Sequence, residues 1–163
     1  MSAYVIDTNV PIVANGRSDS VAVACVVKCV RKLVDVRAEA TVVLDDGMRI
    51  LSEYLRHLNP KGQPGAGDLF MKWVWDNRGV TAQCERVSIT PLPDDPEDFV
   101  EFPRDSRLAS FHRKDRKFVA VACASKNNPE VLNATDSDWW IHRQALGDHG
   151  VRVVFLCPER FEN

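Results

Sequence analysis

Four acidic residues stand where the chain could bring their chemistry together. Asp7 ends the apolar run Tyr4-Val5-Ile6 and opens the turn Asp7-Thr8-Asn9-Val10-Pro11. A carboxylate there sits where a buried strand leaves its sheet, and open α/β folds bind ligands outside the carboxyl ends of their strands. Glu53 follows Ile50-Leu51-Ser52, Asp115 lies in Lys114-Asp115-Arg116-Lys117-Phe118, and Asp136 lies in Asn133-Ala134-Thr135-Asp136-Ser137-Asp138. Carboxylates that converge without matching bases repel one another. A hard divalent cation relieves that repulsion, and the chemistry it points to is metal-dependent phosphodiester hydrolysis.

Each acid also has a plainer use. Asp-Thr-Asn is good turn chemistry. Glu53 could lie on a solvated helix face. Asp115, in the first turn of a helix, would stabilise it by ~0.3–1 kcal/mol through the macrodipole. Asp138 is better placed than Asp136 to cap the helix that follows. Asp138 is therefore expected to cap or support, and Asp136 to face a metal. The bases around Asp115 are harder to explain locally. Arg113, Lys114, Arg116 and Lys117 crowd a helix N-terminus, where positive charge is unfavourable, and phosphate contacts would give them a use. Trp139 and Trp140 are expected to pack in the core and at its edge rather than stack on bases. No phosphate-binding loop of the G-x-x-x-x-G-K-[ST] type and no G-x-S-x-G elbow occurs in the sequence. His57, His112, His142 and His149 are scattered, and His112 alone abuts the basic run.

The elements that must position these acids alternate between strand and helix patterns. Strands are expected at Ala3 to Ile6, Thr41 to Leu44, Arg86 to Ile89, Val131 to about Thr135, and Val151 to Leu156. Helices are expected over Val21 to Val36, Met48 to Leu58, Asp68 to Asn77, Lys114 to Ser125, and Asp138 to Leu146. Either Asp45 or Asp46 could cap the second helix. Lys61 to Gly67 reads as a loop, and Pro91 to Arg107 as an irregular insertion with one short helical turn. Short strands buried on two faces, alternating with helices, give an α/β fold. The expected form is a three-layer α/β/α sandwich on a five-stranded, mainly parallel central sheet, in one domain over residues 1–163.

Composition fits a globular chain: 163 residues, 45% hydrophobic and 27% charged. The net charge of -2 offers no global attraction for nucleic acid, so a local patch must hold such a partner. No apolar run approaches the ~18–20 residues of a membrane span, and no secretory signal opens the chain. The five cysteines are odd in number and mostly apolar in setting, which argues against a disulfide framework and for a reducing cytoplasm. Cys25 and Cys29, one helical turn apart, read as small buried residues rather than a zinc pair.

Taken in order, Val-Ile-Asp7-Thr-Asn, Ile-Leu-Ser-Glu53-Tyr, Asp115-Arg-Lys-Phe-Val-Ala-Val-Ala and Thr135-Asp136-Ser-Asp138-Trp resemble the PIN-domain family over essentially the whole chain. The resemblance implies a nuclease dependent on Mg2+ or Mn2+, most often acting on RNA. It assigns the catalytic quartet to Asp7, Glu53, Asp115 and Asp136, with Asp7, Asp115 and Asp136 on the metal. Asn9 and Thr135 would support the quartet, beside Asp138. The partners it implies are an RNA strand, with DNA as the other substrate, an inhibitor protein of the antitoxin kind, and a second copy in a homodimer. No membrane is implied. The stretch Pro91 to Arg107 and the Gly-rich loop after Pro60 depart from the compact toxin pattern. Two other readings remain: a PIN-like scaffold without activity, and a flap-type nuclease acting on DNA.

Overall fold

The computed structural model describes residues 1–162. In chain order the strands are β1 (Ser2–Ile6), β2 (Ala40–Asp45), β3 (Cys84–Val87), β4 (Pro91–Leu92), β5 (Asp95–Phe99), β6 (Glu130–Asn133) and β7 (Arg152–Phe155). The helices are α1 (Asn9–Ala14), α2 (Val23–Glu39), α3 (Arg49–His57), α4 (Ala66–Asn77), α5 (Arg116–Ala124), α6 (Ser137–Ile141) and α7 (Arg143–Asp148).

The central sheet has five strands, all parallel, in the order β3-β2-β1-β6-β7. Val5, Ile6, Val42, Val43, Leu44, Val131 and Leu132 are wholly buried. Their continuous apolar runs are what a sheet covered on both faces requires. Helices α1, α2 and α4 pack together in one layer, and α5 lies along β1, β2 and β6 in the other. The chain lays β2 and then β3 on one side of β1, and crosses back to lay β6 on the other. The direction of winding thus reverses between β1 and β6. The connections leaving these two strands diverge there and open a crevice at their carboxyl ends.

Several local expectations change. The Asp7 turn continues directly into α1. Helix α4 starts at Ala66, two residues before Asp68. The Asp68 carboxylate accepts the Gly65 N–H at 3.0 Å from the third helical position. Gly67 is required where α4 meets α1, because a Cβ there would sit 1.8 Å from the Pro11 carbonyl oxygen. The insertion is not irregular: β4 and β5 form an antiparallel hairpin, followed by a 3-10 turn at Ser106–Leu108. The helix expected over Asp138 to Leu146 is two short helices with a break at His142.

The cysteine expectation is also corrected. Cys25 of α2 and Cys157, just past β7, form a disulfide across 132 residues. Both are buried, and apolar neighbours describe a bonded cysteine as well as a free one. Cys29 stands beside the pair, the three sulfurs lying within 4.8 Å of one another. Burial pushes the Cys29 thiol up to about 12, which keeps it neutral. No helix among the described residues is long and apolar enough to cross a membrane.

Candidate metal centre

The crevice between β1 and β6 gathers the acids. Asp7 directly follows β1, and its backbone N–H extends the ladder to the Leu132 carbonyl at 3.1 Å. Asp136 follows β6 after a short turn. Asp115 ends the 3-10 turn Arg113–Asp115 that leads into α5. Carboxylate oxygens of Asp7, Asp115 and Asp136 lie within 4.8 Å of one another and could hold a metal ion.

Each acid is held by the elements around it. One Asp7 oxygen accepts the Asn9 N–H at 3.1 Å, which is the turn read from Asp-Thr-Asn. The other accepts the Trp139 indole N–H at 2.6 Å, inside the core. Asp136 caps α6, accepting the Asp138 N–H at 2.9 Å. This reverses the expectation that Asp138 is the cap. Asp138 instead accepts the His112 backbone N–H at 2.8 Å, tying the segment before Asp115 to the start of α6. Its other oxygen lies 3.1 Å from His142 Nδ1, and His142 Nε2 lies 3.1 Å from the Ser110 hydroxyl. A proton on Nδ1 leaves Nε2 free to accept from Ser110, so this chain of contacts clamps the 3-10 region onto α6.

Asn9 staples β1 to β6. Its carbonyl oxygen accepts the Ala134 N–H at 2.8 Å, and its amide donates to Asn133 Oδ1 at 2.8 Å. Thr135 joins through its backbone N–H, 3.4 Å from the same Asn9 oxygen. Buried Asn133 in turn donates to the Asp136 carbonyl at 3.1 Å. Sequence reasoning missed Asn133, whose only signal was an amide at the end of the strand.

Glu53 lines the same pocket as the three aspartates but stands apart from their cluster. The Thr8 hydroxyl donates to one Glu53 oxygen, and Lys117 Nζ donates to the other at 2.8 Å. The Tyr54 hydroxyl donates to the Ile6 carbonyl at 2.5 Å and so fixes α3 against the end of β1.

Two of the four expected nucleic-acid contacts are turned inward. Arg116 is 8% exposed. It pairs with Asp98 of β5 at 3.0 Å and donates to the carbonyls of Ala109 and Phe111 at 3.0 and 3.2 Å. Lys117, 9% exposed, is spent on Glu53 and the Lys114 carbonyl. Both lie in the first turn of α5, whose residues from Arg116 to Val121 are all buried, and a run of four bases in the sequence conceals that. Arg113 and Lys114 remain exposed, and Arg113 pairs with Asp95 and Glu97 of the hairpin.

The electrostatics of the cluster are unbalanced. Among the described residues no Lys or Arg pairs with Asp7, Asp115 or Asp136, and His112 reaches Asp115 only at 4.0 Å. Two unit charges about 5 Å apart repel by roughly 3 kcal/mol at an effective dielectric of ~20. Burial, first of all, pushes the Asp7 and Asp115 carboxyls above the ordinary range. The charge of Asp136 adds to the rise at Asp7, and the charges of Asp7 and then Asp136 add to it at Asp115. The cluster must therefore take up protons or a cation. Its donors are all carboxylate oxygens, a set that fits a hard divalent ion.

No protein-family model, curated protein or solved structure matches the chain. The functional reading therefore rests on these residues and on the motifs that carry the resemblance.

Proposed function

We propose that the chain is a PIN-type nuclease that hydrolyses RNA with Mg2+ or Mn2+ held by Asp7, Asp115 and Asp136. The observation that carries this reading is the set of three converging carboxylates without a cationic partner, at the point where the sheet reverses its winding. A bound divalent ion would supply Lewis acidity, lowering the pKa of a water and offsetting charge on the phosphate.

The chain's own residues do the rest. Asn9 and Trp139 hold both Asp7 oxygens in place, and the Asp138 N–H does the same for one oxygen of Asp136. Glu53, oriented by Lys117, stands at the rim of the pocket, where it can orient the attacking water or take its proton. In-line attack of that water at phosphorus expels the alkoxide of the next nucleotide.

The test is cleavage of a panel of RNAs, single-stranded DNAs and a flap duplex with Mg2+, Mn2+ or chelator. Asp7→Asn and Asp115→Asn should abolish metal-dependent RNA cleavage and leave the fold intact. Wild-type rates from either variant would overturn the assignment. Cleavage confined to DNA would replace RNA as the substrate.

A further inference from the structure

A cavity of about 780 Å³ opens beside the acidic crevice, between α3 and the β4–β5 hairpin. Glu53, His57 and Lys114 line both spaces, so the two are continuous. The lining of the cavity is cationic. Arg49, Arg56, Arg113, Lys114 and Lys117 face it against the carboxylates of Glu53 and Glu97.

The pairing of these charges decides which are free. Arg49 is held by Asp45 at 3.3 Å, Lys117 by Glu53 at 2.8 Å, and Arg113 by Asp95 and Glu97. Arg56 and Lys114 have no ion-pair partner among the described residues. Both are exposed, one on α3 and one before α5, and together they face the cavity next to Glu53. Of the Phe, Tyr and Trp rings only Phe99 lines the cavity, 2% exposed and with Arg49 over it at 5.4 Å, while the exposed imidazole of His57 stands where cavity and crevice meet. Phe99 therefore offers no face for base stacking and, the His57 ring apart, the recognition on offer is of anionic oxygens.

We infer that this cavity is a subsite for the phosphodiester backbone flanking the scissile bond, gripped by Arg56 and Lys114 and walled by the hairpin. It rests on the nuclease reading for the identity of its ligand. It adds that the strand runs from the carboxylates past His57 and Lys114, and that this flank is held through phosphates with little regard to base. The hairpin thereby gains a role: Asp95 and Glu97 anchor Arg113 and close the wall opposite α3.

The experiment measures binding of a fluorescein-labelled RNA octamer by anisotropy in chelator, across a salt series, so that it does not depend on cleavage. Arg56→Ala/Lys114→Ala should weaken binding at least tenfold. It should also lower the slope of log K against log salt by about 1.4, the value for two lost contacts to a single strand. Lys126→Ala, an exposed lysine of the segment between α5 and β6, should change neither. Octamers of unrelated sequence should lose affinity equally. Wild-type affinity in the double variant, or an equal slope change in Lys126→Ala, would overturn the subsite. If the octamer binds as expected but no RNA is cut with either metal, the nuclease reading fails and the subsite stands. If RNA is cut and the double variant keeps its KM for the octamer, the subsite fails and the nuclease reading stands.

Discussion

The indole N–H of Trp139 donates to a carboxylate oxygen of Asp7 at 2.6 Å, with the indole wholly buried. A core residue of α6 thereby sets the orientation of an acid at the end of β1. Groups that hold a ligand in this way are worth about 10–100-fold in metal affinity. Trp139→Phe keeps most of the packing and removes the donor. It should weaken Mn2+ binding by about that factor in titration calorimetry while the protein still melts cooperatively. Unchanged affinity would mean that Trp139 serves packing alone.

The raised carboxyls of Asp7 and Asp115 make stability depend on pH. Without metal, the folded protein keeps protons that the unfolded chain releases above about pH 4. Stability of the metal-free protein should therefore fall as pH rises from about 4 through the raised pKa values. A divalent cation replaces those protons. A cation at about 100-fold above its Kd would add roughly 3 kcal/mol of stability, read as a rise in Tm with Mg2+ or Mn2+ over chelator. That rise should be larger at pH 8 than at pH 5, where protons compete. A metal effect as large at pH 5 would argue against ligation by these two acids.

Arg116 joins the hairpin to the approach of Asp115. Burial alone would raise the Asp98 carboxyl, but the Arg104 hydrogen bond, the Phe99 N–H and the Arg116 guanidinium outweigh it and hold the pKa at about 2. The sign follows from that depression: the stabilisation is present above the ordinary carboxylate range and is lost as pH falls through about 2. Arg116→Met should cost about 2 kcal/mol in denaturant melts, because Asp98 keeps Arg104 as its one cation and the Ala109 and Phe111 carbonyls lose their donor. A loss below ~0.5 kcal/mol accompanied by weaker RNA binding would instead make Arg116 a strand contact.

The bond between Cys25 and Cys157 predicts a thiol count. Denatured without reductant, the protein should yield three titratable thiols, Cys29, Cys84 and Cys123, and after reduction five. Cys25→Ser/Cys157→Ser should lower stability by about 3 kcal/mol, since the bond closes a long loop. Five thiols before reduction would contradict the pairing.

Much of the fold was legible because its signals are local. The apolar runs at β1, β2 and β6 needed no partner to be read as buried strands, and an acid before α3 was expected to cap it, with Asp45 and Asp46 both open. Asp45 accepts the N–H groups of Arg49 and Ile50 at 3.0 and 2.9 Å. The β4–β5 hairpin was not legible: its two-residue strand begins with a proline, and three of the five residues of the other are Asp or Glu. Such a sequence has little strand propensity, and the hairpin stands because Arg104, Arg113 and Arg116 neutralise its acids.

The candidate site divides in the same way. The order of motifs named Asp7, Glu53, Asp115 and Asp136, because each follows a local pattern at the end of a strand or on a helix. Which of them share a centre was decided by the sheet order, which puts β6 beside β1 and so brings Asp136 to Asp7. Which bases are free was decided by packing: Arg116 and Lys117 are spent inside, while Arg56, from a helix distant in sequence, faces the same cavity as Lys114. Sequence alone determined the residue types and the elements that carry them, through side-chain periodicity and capping. Only the tertiary structure decided their partners, because an ion pair or a shared metal depends on distances between segments that chain order does not contain.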